Sequence, residues 1–148
     1  MSDALNALKT AAIDALKADA GVAAFCGPRV YETVPRDSRG DAADVVTPYV
    51  FLAGFNWRGK EAGCSPWFGV SLRFHAVSTR FAAGEARSLA DAVRFALDRK
   101  EIAIAGGHTI DRFIAIAGGD VVGATEPHEV FVEFACELFD ATPYPDPA

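Results

Sequence analysis

Two hydrophobic patterns stand out within residues 68–100. Apolar and polar side chains alternate over residues 68–77, which predicts a strand with one buried face, because successive side chains of a strand point to opposite faces. Over residues 85–99, apolar side chains recur at the spacing of one helical face. These apolar positions are Val70, Leu72, Phe74 and Ala76 in the strand, and Ala86, Leu89, Ala90, Val93 and Leu97 in the helix. The patterns predict a sheet with a helix laid on it.

The rest of the chain adds a helix and several strands to this unit. Residues 3–18 are predicted to form an amphipathic helix that Ser2 can cap, and residues 22–25 add one more turn. The remaining strands are predicted at residues 30–34, 48–53, 102–104, 109–117 and 128–139. Turn-rich links between consecutive strands favour antiparallel pairing. The predicted fold class is α+β: a mostly antiparallel sheet of about four to five strands with two helices packed on one face.

Residues 1–140 are predicted to form a single domain, followed by a proline-rich tail at residues 141–148. Two polar stretches without periodicity, residues 36–47 and 55–66, are predicted to be surface loops, and long loops in compact domains are usually functional. Aromatic side chains in the second loop can either anchor a partner or fold back on the core. The candidate contact residues in the two loops are Arg36, Asp37, Arg39, Asp41, Trp57, Arg58, Lys60 and Glu61.

The composition indicates a globular protein with little affinity for nucleic acid. Of the 148 residues, 51% are apolar and 23% are charged, which excludes a disordered chain. The net charge of −6 argues against a protein that grips DNA or an anionic membrane, because such proteins neutralise phosphates with basic side chains. No apolar run approaches the ~20 residues that cross a bilayer, so no membrane partner is expected. Three widely spaced cysteines without a CxxC motif predict free thiols.

The segment from Gly54 to Lys60 fits the GxxxxGK pattern of a phosphate-binding loop. The next residue is Glu61, where such a loop carries a Ser or Thr hydroxyl for magnesium. Gly63 and Pro66 also interrupt the helix whose N-terminus would bind the phosphate. An exposed hairpin loop is therefore the favoured interpretation, and a small nucleotide-binding domain is kept as a hypothesis from a different functional class.

No other motif points to catalysis or to a bound cofactor. The three histidines, His75, His108 and His128, share no metal-ligand spacing, and no HExxH motif is present. No serine lies in a GxSxG setting, and no cysteine has a motif that marks a nucleophile. The sequence predicts no metal, no cofactor and no enzymatic activity.

The last predicted strand carries charged and aromatic side chains on one face. Glu129, Glu133 and Glu137 share this face with Phe131 and Phe139. Successive glutamates lie roughly 13 Å apart, whereas a catalytic carboxylate pair needs about 5–9.5 Å. Either a helix or loop covers part of this face, or the face is a contact between subunits in which charge surrounds apolar anchors. Two arginines on strands are expected to pair with the carboxylates, within the sheet or across an interface. The residues predicted for such a contact are Arg73, Arg112, Glu129, Phe131, Glu133 and Glu137.

Several segments in this order resemble a family of tail-completion proteins. The first are VYETVP at residues 30–35 and, after the polar loop, PYVFL at residues 48–52. Next comes VSLRFHAVS at residues 70–78, where the family usually has an apolar strand ending in a tetrad like HVWS; Val77 departs from its tryptophan. The likeness continues through the helix, the AGG turn at residues 105–107 and the final strand. This family, DUF3168, occurs in long-tailed bacteriophages and gene transfer agents, and the resemblance covers roughly residues 3–139.

The resemblance implies a tail terminator, a structural virion protein with no catalytic site. Such proteins form a ring, typically a hexamer, that caps the finished tail tube, stops its polymerisation and provides the surface that docks to the neck of the head. The implied partners are other copies of the chain, the tail tube protein and a neck or stopper protein. DNA passes through the lumen without specific binding. The implied location is the tail–neck junction of the virion, and the cytoplasm of the bacterial host during assembly.

The resemblance also suggests roles for the candidate residues. The six residues of the predicted contact face would form the ring interface, and the two loops would contact the tail tube and the neck. A different neck or head-completion protein of similar fold is the alternative within the same structural class.

Overall fold

The computed structural model of the protein describes residues 2–35, 46–59, 66–79, 84–121 and 128–142, and shows helices packed on one face of a sheet. The helices are α1 (Ser2–Ala18), α2 (Ala20–Cys26) and α3 (Gly84–Leu97). The strands are β1 (Val30–Tyr31), β2 (Tyr49–Gly59), β3 (Trp67–Ser78), β4 (Thr109–Ile110), β5 (Ile114–Asp120) and β6 (His128–Phe139).

The sheet runs in the order β1–β2–β3–β6, and β4 and β5 both pair with the remaining edge of β6. β1 is parallel to β2, and all other pairings among the described strands are antiparallel. The predicted α+β class with a mostly antiparallel sheet is confirmed. The described residues form six strands and three helices, more than the predicted four to five strands and two helices. None of these helices is long and apolar enough to cross a membrane.

The core lies between the helices and the face of the sheet that they cover, called the inner face here. The alternating apolar side chains of β3 and β6 point into it and pack against the apolar face of α3, as predicted. Three buried phenylalanines stack edge to face at its centre. Phe74 lies 6.3 Å from Phe134, and Phe113 lies 6.2 Å from Phe134, between ring centroids. The predicted strand at residues 128–139 has the observed bounds of β6.

Strand β2 is longer than the sequence pattern predicted. Residues 55–59 were expected in a loop, but they continue β2 and pair with β3 along residues 68–72. A bulge at Ala53 shifts the register by one residue, so Phe55 returns to the inner face. This prediction was wrong because the pairing partner, not local propensity, keeps this polar, glycine-containing segment extended. Gly54–Gly59 is therefore neither a hairpin loop nor a phosphate-binding loop; Lys60 lies outside the described residues.

Residues 102–104 form no strand, which corrects a second prediction. Ile102 and Ile104 are half-buried and pack against the core, so their apolar alternation reflects packing without sheet pairing. The strand predicted at residues 109–117 is divided into β4 and β5. Between them, the main chain of Phe113 exchanges hydrogen bonds with Arg99 and Lys100 instead of with β6. β5 then continues to Asp120, beyond its predicted end.

Buried His108 joins the two ends of the described chain. Its Nδ1 accepts a hydrogen bond from the main-chain N–H of Ala141 at 3.0 Å, so its Nε2 carries the proton of the neutral ring and donates to Asp3 at 2.9 Å. Asp140 lies beside it, 3.5 Å from Nδ1. The adjacent Gly106 has φ of +80°, and a Cβ there would lie 2.9 Å from the imidazole. The imidazole therefore connects α1, the glycine turn and the end of β6.

Candidate interaction surface

The outer sheet face, opposite the helices, carries the residues predicted for a subunit contact. Its defining side chains come from three neighbouring strands. They are Phe51 of β2; Ser71, Arg73 and His75 of β3; and Glu129, Phe131, Glu133, Ala135 and Glu137 of β6. All are half-buried, and no described helix or strand packs over them. The first of the two hypotheses, that a helix covers this face, is not observed among the described residues.

A hydrogen-bonded chain fixes the centre of the outer sheet face. Arg73 donates its Nε–H to Nε2 of His75 at 3.1 Å, so Nε2 is an acceptor. The proton of the neutral ring then lies on Nδ1, which donates to Glu129 at 2.8 Å. The guanidinium of Arg73 also lies over the ring of Phe131, with its central carbon 3.7 Å from the ring centroid. This arrangement orients a cation, an imidazole, a carboxylate and an aromatic ring as one unit.

An aromatic row extends from this unit across the sheet. His75 lies between Phe51, at 5.2 Å, and Phe131, at 6.4 Å between ring centroids. Phe51 continues to Tyr49 at 6.2 Å, and Tyr49 to Tyr31 at 6.0 Å. The row thus crosses β6, β3, β2 and β1. Aromatic and arginine side chains of this kind are typical of the energetically important centres of protein interfaces.

The structure brings together some of the six predicted contact residues and separates others. Arg73, Glu129 and Phe131 meet through His75. Glu133 is the direct cross-strand neighbour of Arg73, but among the described residues the two form no ion pair. Within the described sheet of one copy, Arg73 therefore contacts Phe131 and His75 and does not form the expected pair with a glutamate.

Glu137 and Arg112 lie at the border of this face. The main-chain N–H of Glu137 donates to the carboxylate of Asp111 at 2.7 Å, and the main-chain carbonyl of Glu137 accepts the N–H of Asp111 at 3.1 Å. Arg112 follows Asp111 between β4 and β5, where it is exposed. The expectation that Arg112 lies on a strand is therefore wrong, because the chain leaves β6 there to bury Phe113.

The residues predicted for tube and neck contacts fall into two groups. Trp57 and Arg58 are exposed, but on β2 instead of in a loop. Trp57 points to the inner side of the sheet and packs edge to face on Phe68, at 6.1 Å between ring centroids. The other predicted residues, Arg36, Asp37, Arg39, Asp41, Lys60 and Glu61, lie outside the described residues.

Sequence reasoning missed the roles of His75, Tyr49 and Phe51 on the outer sheet face. The sequence did contain a signal for His75: it alternates with buried residues along β3, so it lies on the opposite face of the strand. Its link to Glu129 was not readable, since the two residues are 54 positions apart and meet only through strand register. The same register aligns Phe51 with His75.

The described residues offer little reactive chemistry. No cluster of three metal-ligating side chains occurs among them. Cys26 and Cys136 are buried free thiols. Burial raises the pKa of Cys136 to about 12, with the nearby charges of Asp111 and Glu137 adding to the effect. Burial also raises the pKa of Cys26, against the opposing charge of Arg29. Both thiols are thus held in the unreactive protonated form.

A family model described as "Tail completion protein gp17" matches residues 10–136. The chain belongs to this family. The match confirms the resemblance to tail-completion proteins, and it identifies a structural protein of a virion, not an enzyme. A comparison with curated proteins finds no match.

A solved structure shares the fold of this tail-completion family member. It is a chain from a structure titled "Virion of native gene transfer agent (GTA) particle", with a TM-score of 0.73 and 20% sequence identity. The alignment covers 90% of this chain and 95% of that chain. The fold is therefore one that occurs in a virion component.

Proposed function

We propose that the protein is a tail terminator, which forms a ring on the finished tail tube, stops polymerisation of the tube and presents the docking surface for the neck. The family match over residues 10–136 carries this proposal. The fold shared with a chain of a gene transfer agent particle supports it. Ring formation and the docking role go beyond the family description and need their own test.

The outer sheet face is the surface that we assign to contacts between copies. Arg73 and Phe131 form its centre, and Glu129, Glu133 and Glu137 surround them with negative charge. A ring requires a heterologous contact, in which one surface of each copy binds a different surface of the next. Half-buried aromatic side chains bordered by charged ones suit such a contact, because apolar burial supplies affinity and the charges select the partner.

The remaining partners follow from the same proposal. The tail tube protein and a neck or stopper protein would bind the two ends of the ring, in part through the stretches predicted from sequence at residues 36–47 and 55–66. DNA would pass through the lumen without specific contacts, in keeping with the net charge of −6. The protein would act at the tail–neck junction after assembly in the host cytoplasm. We expect a hexamer.

The mass of the assembly tests this proposal. We expect wild-type protein to form a closed oligomer by light scattering, alone or with added tail tube subunits, and to shorten tubes that polymerise in its presence. Protein that stays monomeric in both conditions and leaves tube length unchanged would overturn the proposal. An oligomer that binds the head-side neck protein without affecting the tube would indicate a different neck or head-completion protein.

The outer sheet face has a separate variant test. Phe131→Ala combined with Glu133→Lys should weaken ring formation and preserve the far-ultraviolet circular dichroism spectrum, because both side chains are only half-buried. The matched control is Phe25→Ala with Asp14→Lys on the helical side, which likewise removes a phenyl ring and reverses an acidic charge, but away from this face. Equal loss of assembly in both variants would argue against the assigned face.

A further inference from the structure

The described sheet has an open edge at each end. β1 pairs only with Val50 and Phe51 of β2, so within the described residues no strand pairs with that side of β2 from Leu52 to Gly59. At the other end, β5 pairs with β6 alone. Exposed sheet edges carry unpaired main-chain groups that bind further strands unless the protein blocks them.

The main-chain directions of β5 show which of its groups are available. Ala115 points its N–H away from β6 and donates it to the carboxylate of Asp98 at 2.9 Å. Val121 points its N–H toward β6, where Glu129 accepts it. Because main-chain groups alternate along an antiparallel strand, the N–H and C=O groups of Gly118 and Asp120 point away from β6. In the described part of the chain, no strand pairs with them.

A groove lies on the inner side of this edge, between β5 and α3. Its volume is about 450 Å³. Small residues, Ala115 and Gly118 from β5 and Ala90 from α3, leave space between strand and helix, and the charged side chains of α3 also line the groove. Arg87 and Asp120 form a two-hydrogen-bond ion pair at its rim, at 2.6 and 3.1 Å.

At the opposite edge of the sheet, β2 carries an exposed tryptophan, a bulky apolar side chain that suits the groove. Trp57 lies near the open end of β2, on the inner side of the sheet, and is 54% exposed. It packs edge to face on Phe68, and about half of its surface is left in solvent. A tryptophan that is buried on binding covers about 150–250 Å² and is a common anchor of interfaces.

We propose that a second copy of this chain occupies the β5 edge: the open edge of β2 of one protomer pairs with β5 of the next, and Trp57 enters the groove between β5 and α3. The strand directions agree, because the antiparallel pairings β2–β3, β3–β6 and β6–β5 make β2 antiparallel to β5. A neighbour in the same orientation therefore adds its β2 in the favoured antiparallel sense. Each copy carries both halves of the contact at opposite ends of its sheet, as head-to-tail closure requires.

This inference rests on the proposed ring and specifies how its protomers join. The glutamates of β6 lie one strand away from the junction, so the outer sheet face contacts the neighbour only along the border of the new pairing, and the strand pairing itself holds the copies together. The junction also gives Trp57 a role between protomers, in place of the tube or neck contact expected from sequence.

Two complementary variants test the junction. Trp57→Ala removes the anchor and keeps the groove, whereas Ala115→Phe fills the groove and keeps the anchor. We expect each variant alone to lose the ring, with association at least about tenfold weaker. Mixed together, they should form a one-to-one heterodimer and nothing larger, since only one intact junction remains. The heterodimer would also show that both variants are folded. The controls are Phe95→Ala, an exposed aromatic residue of α3 that does not line the groove, and Ala115→Ser, which leaves the groove open.

The outcomes separate this inference from the proposed function. If either variant alone still forms wild-type rings, the edge junction is wrong while the tail terminator proposal stands. If both are monomeric and their mixture stays monomeric, the junction is also wrong. If wild-type protein forms no oligomer with or without tail tube subunits, the proposed function fails and the junction fails with it.

Discussion

Arg73 places its guanidinium over the ring of Phe131, 3.7 Å from the ring centroid, although its direct cross-strand neighbour is Glu133. His75 accounts for this geometry. Its Nε2 accepts a hydrogen bond from Arg73 Nε, which holds the Arg73 side chain diagonally across the strands, over Phe131. The arginine thereby covers an aromatic ring that would otherwise meet water. The contact stabilises the monomer and at the same time shapes the outer sheet face.

We predict that Arg73→Leu lowers the free energy of unfolding by about 1 kcal/mol, since it removes a cation–aromatic contact and a hydrogen bond and keeps the apolar stem. Urea unfolding at a concentration where the protein is monomeric measures the effect. Arg112→Leu is the control, because Arg112 is exposed and should change stability little. Equal losses in the two variants would mean that the Phe131 contact contributes nothing.

His108 should matter more for stability than any histidine on a sheet face. His108→Ala leaves the N–H of Ala141 without its acceptor and opens a cavity in a site where the imidazole is 4% exposed. We expect a loss of about 2–3 kcal/mol and faster hydrogen exchange of the Ala141 amide. Thr109→Ala, at the exposed next position, provides the control. Unchanged exchange at Ala141 in His108→Ala would contradict the role of His108.

From the lowered pKa of Asp140 we predict how the stability of the protein changes with pH in acid. Burial alone would raise the pKa of Asp140, but hydrogen bonds from Thr142, including its N–H at 2.9 Å, lower the pKa below its usual range. A lowered folded pKa stabilises the protein fully above the unfolded pKa of about 3.9, and this stabilisation is lost as pH falls through the folded pKa. The difference in the free energy of unfolding between wild type and Asp140→Asn should therefore shrink as pH falls below about 4. A difference in the free energy of unfolding that widens at acid pH would refute this prediction.

We predict that thiol reagents label the buried cysteines of the folded protein slowly. With the pKa of Cys136 raised to about 12, its thiolate at pH 8 is roughly a thousandfold scarcer than that of a free cysteine. We expect a Cys64→Ser variant, which keeps only Cys26 and Cys136, to react with a thiol reagent only after denaturation. Rapid labelling of one thiol in the folded variant would show that one of these residues is accessible.

Much of the fold was readable from sequence because its main elements repeat over short distances. β3, α3 and β6 each bury one face, and burial of one face over ten or more residues imposes a clear period of two or 3.6 residues. The family resemblance rests in part on the same segments. Residues 55–59 and 102–104 were misassigned for opposite reasons. Pairing to β3 extends the first segment, whereas the second packs against the core without pairing.

The sequence by itself determined the class of the fold, the apolar face of each long element and the family, and it placed Arg73, Glu129 and Phe131 on one side of the sheet. Only the tertiary structure decided which of these residues touch. His75 reaches Glu129 and Arg73 reaches Phe131 because strand register aligns residues that are more than 50 positions apart. The open edges at β2 and β5 are likewise properties of strand order. Local pattern encodes which face is buried, whereas register and strand order depend on the free energy of the whole sheet.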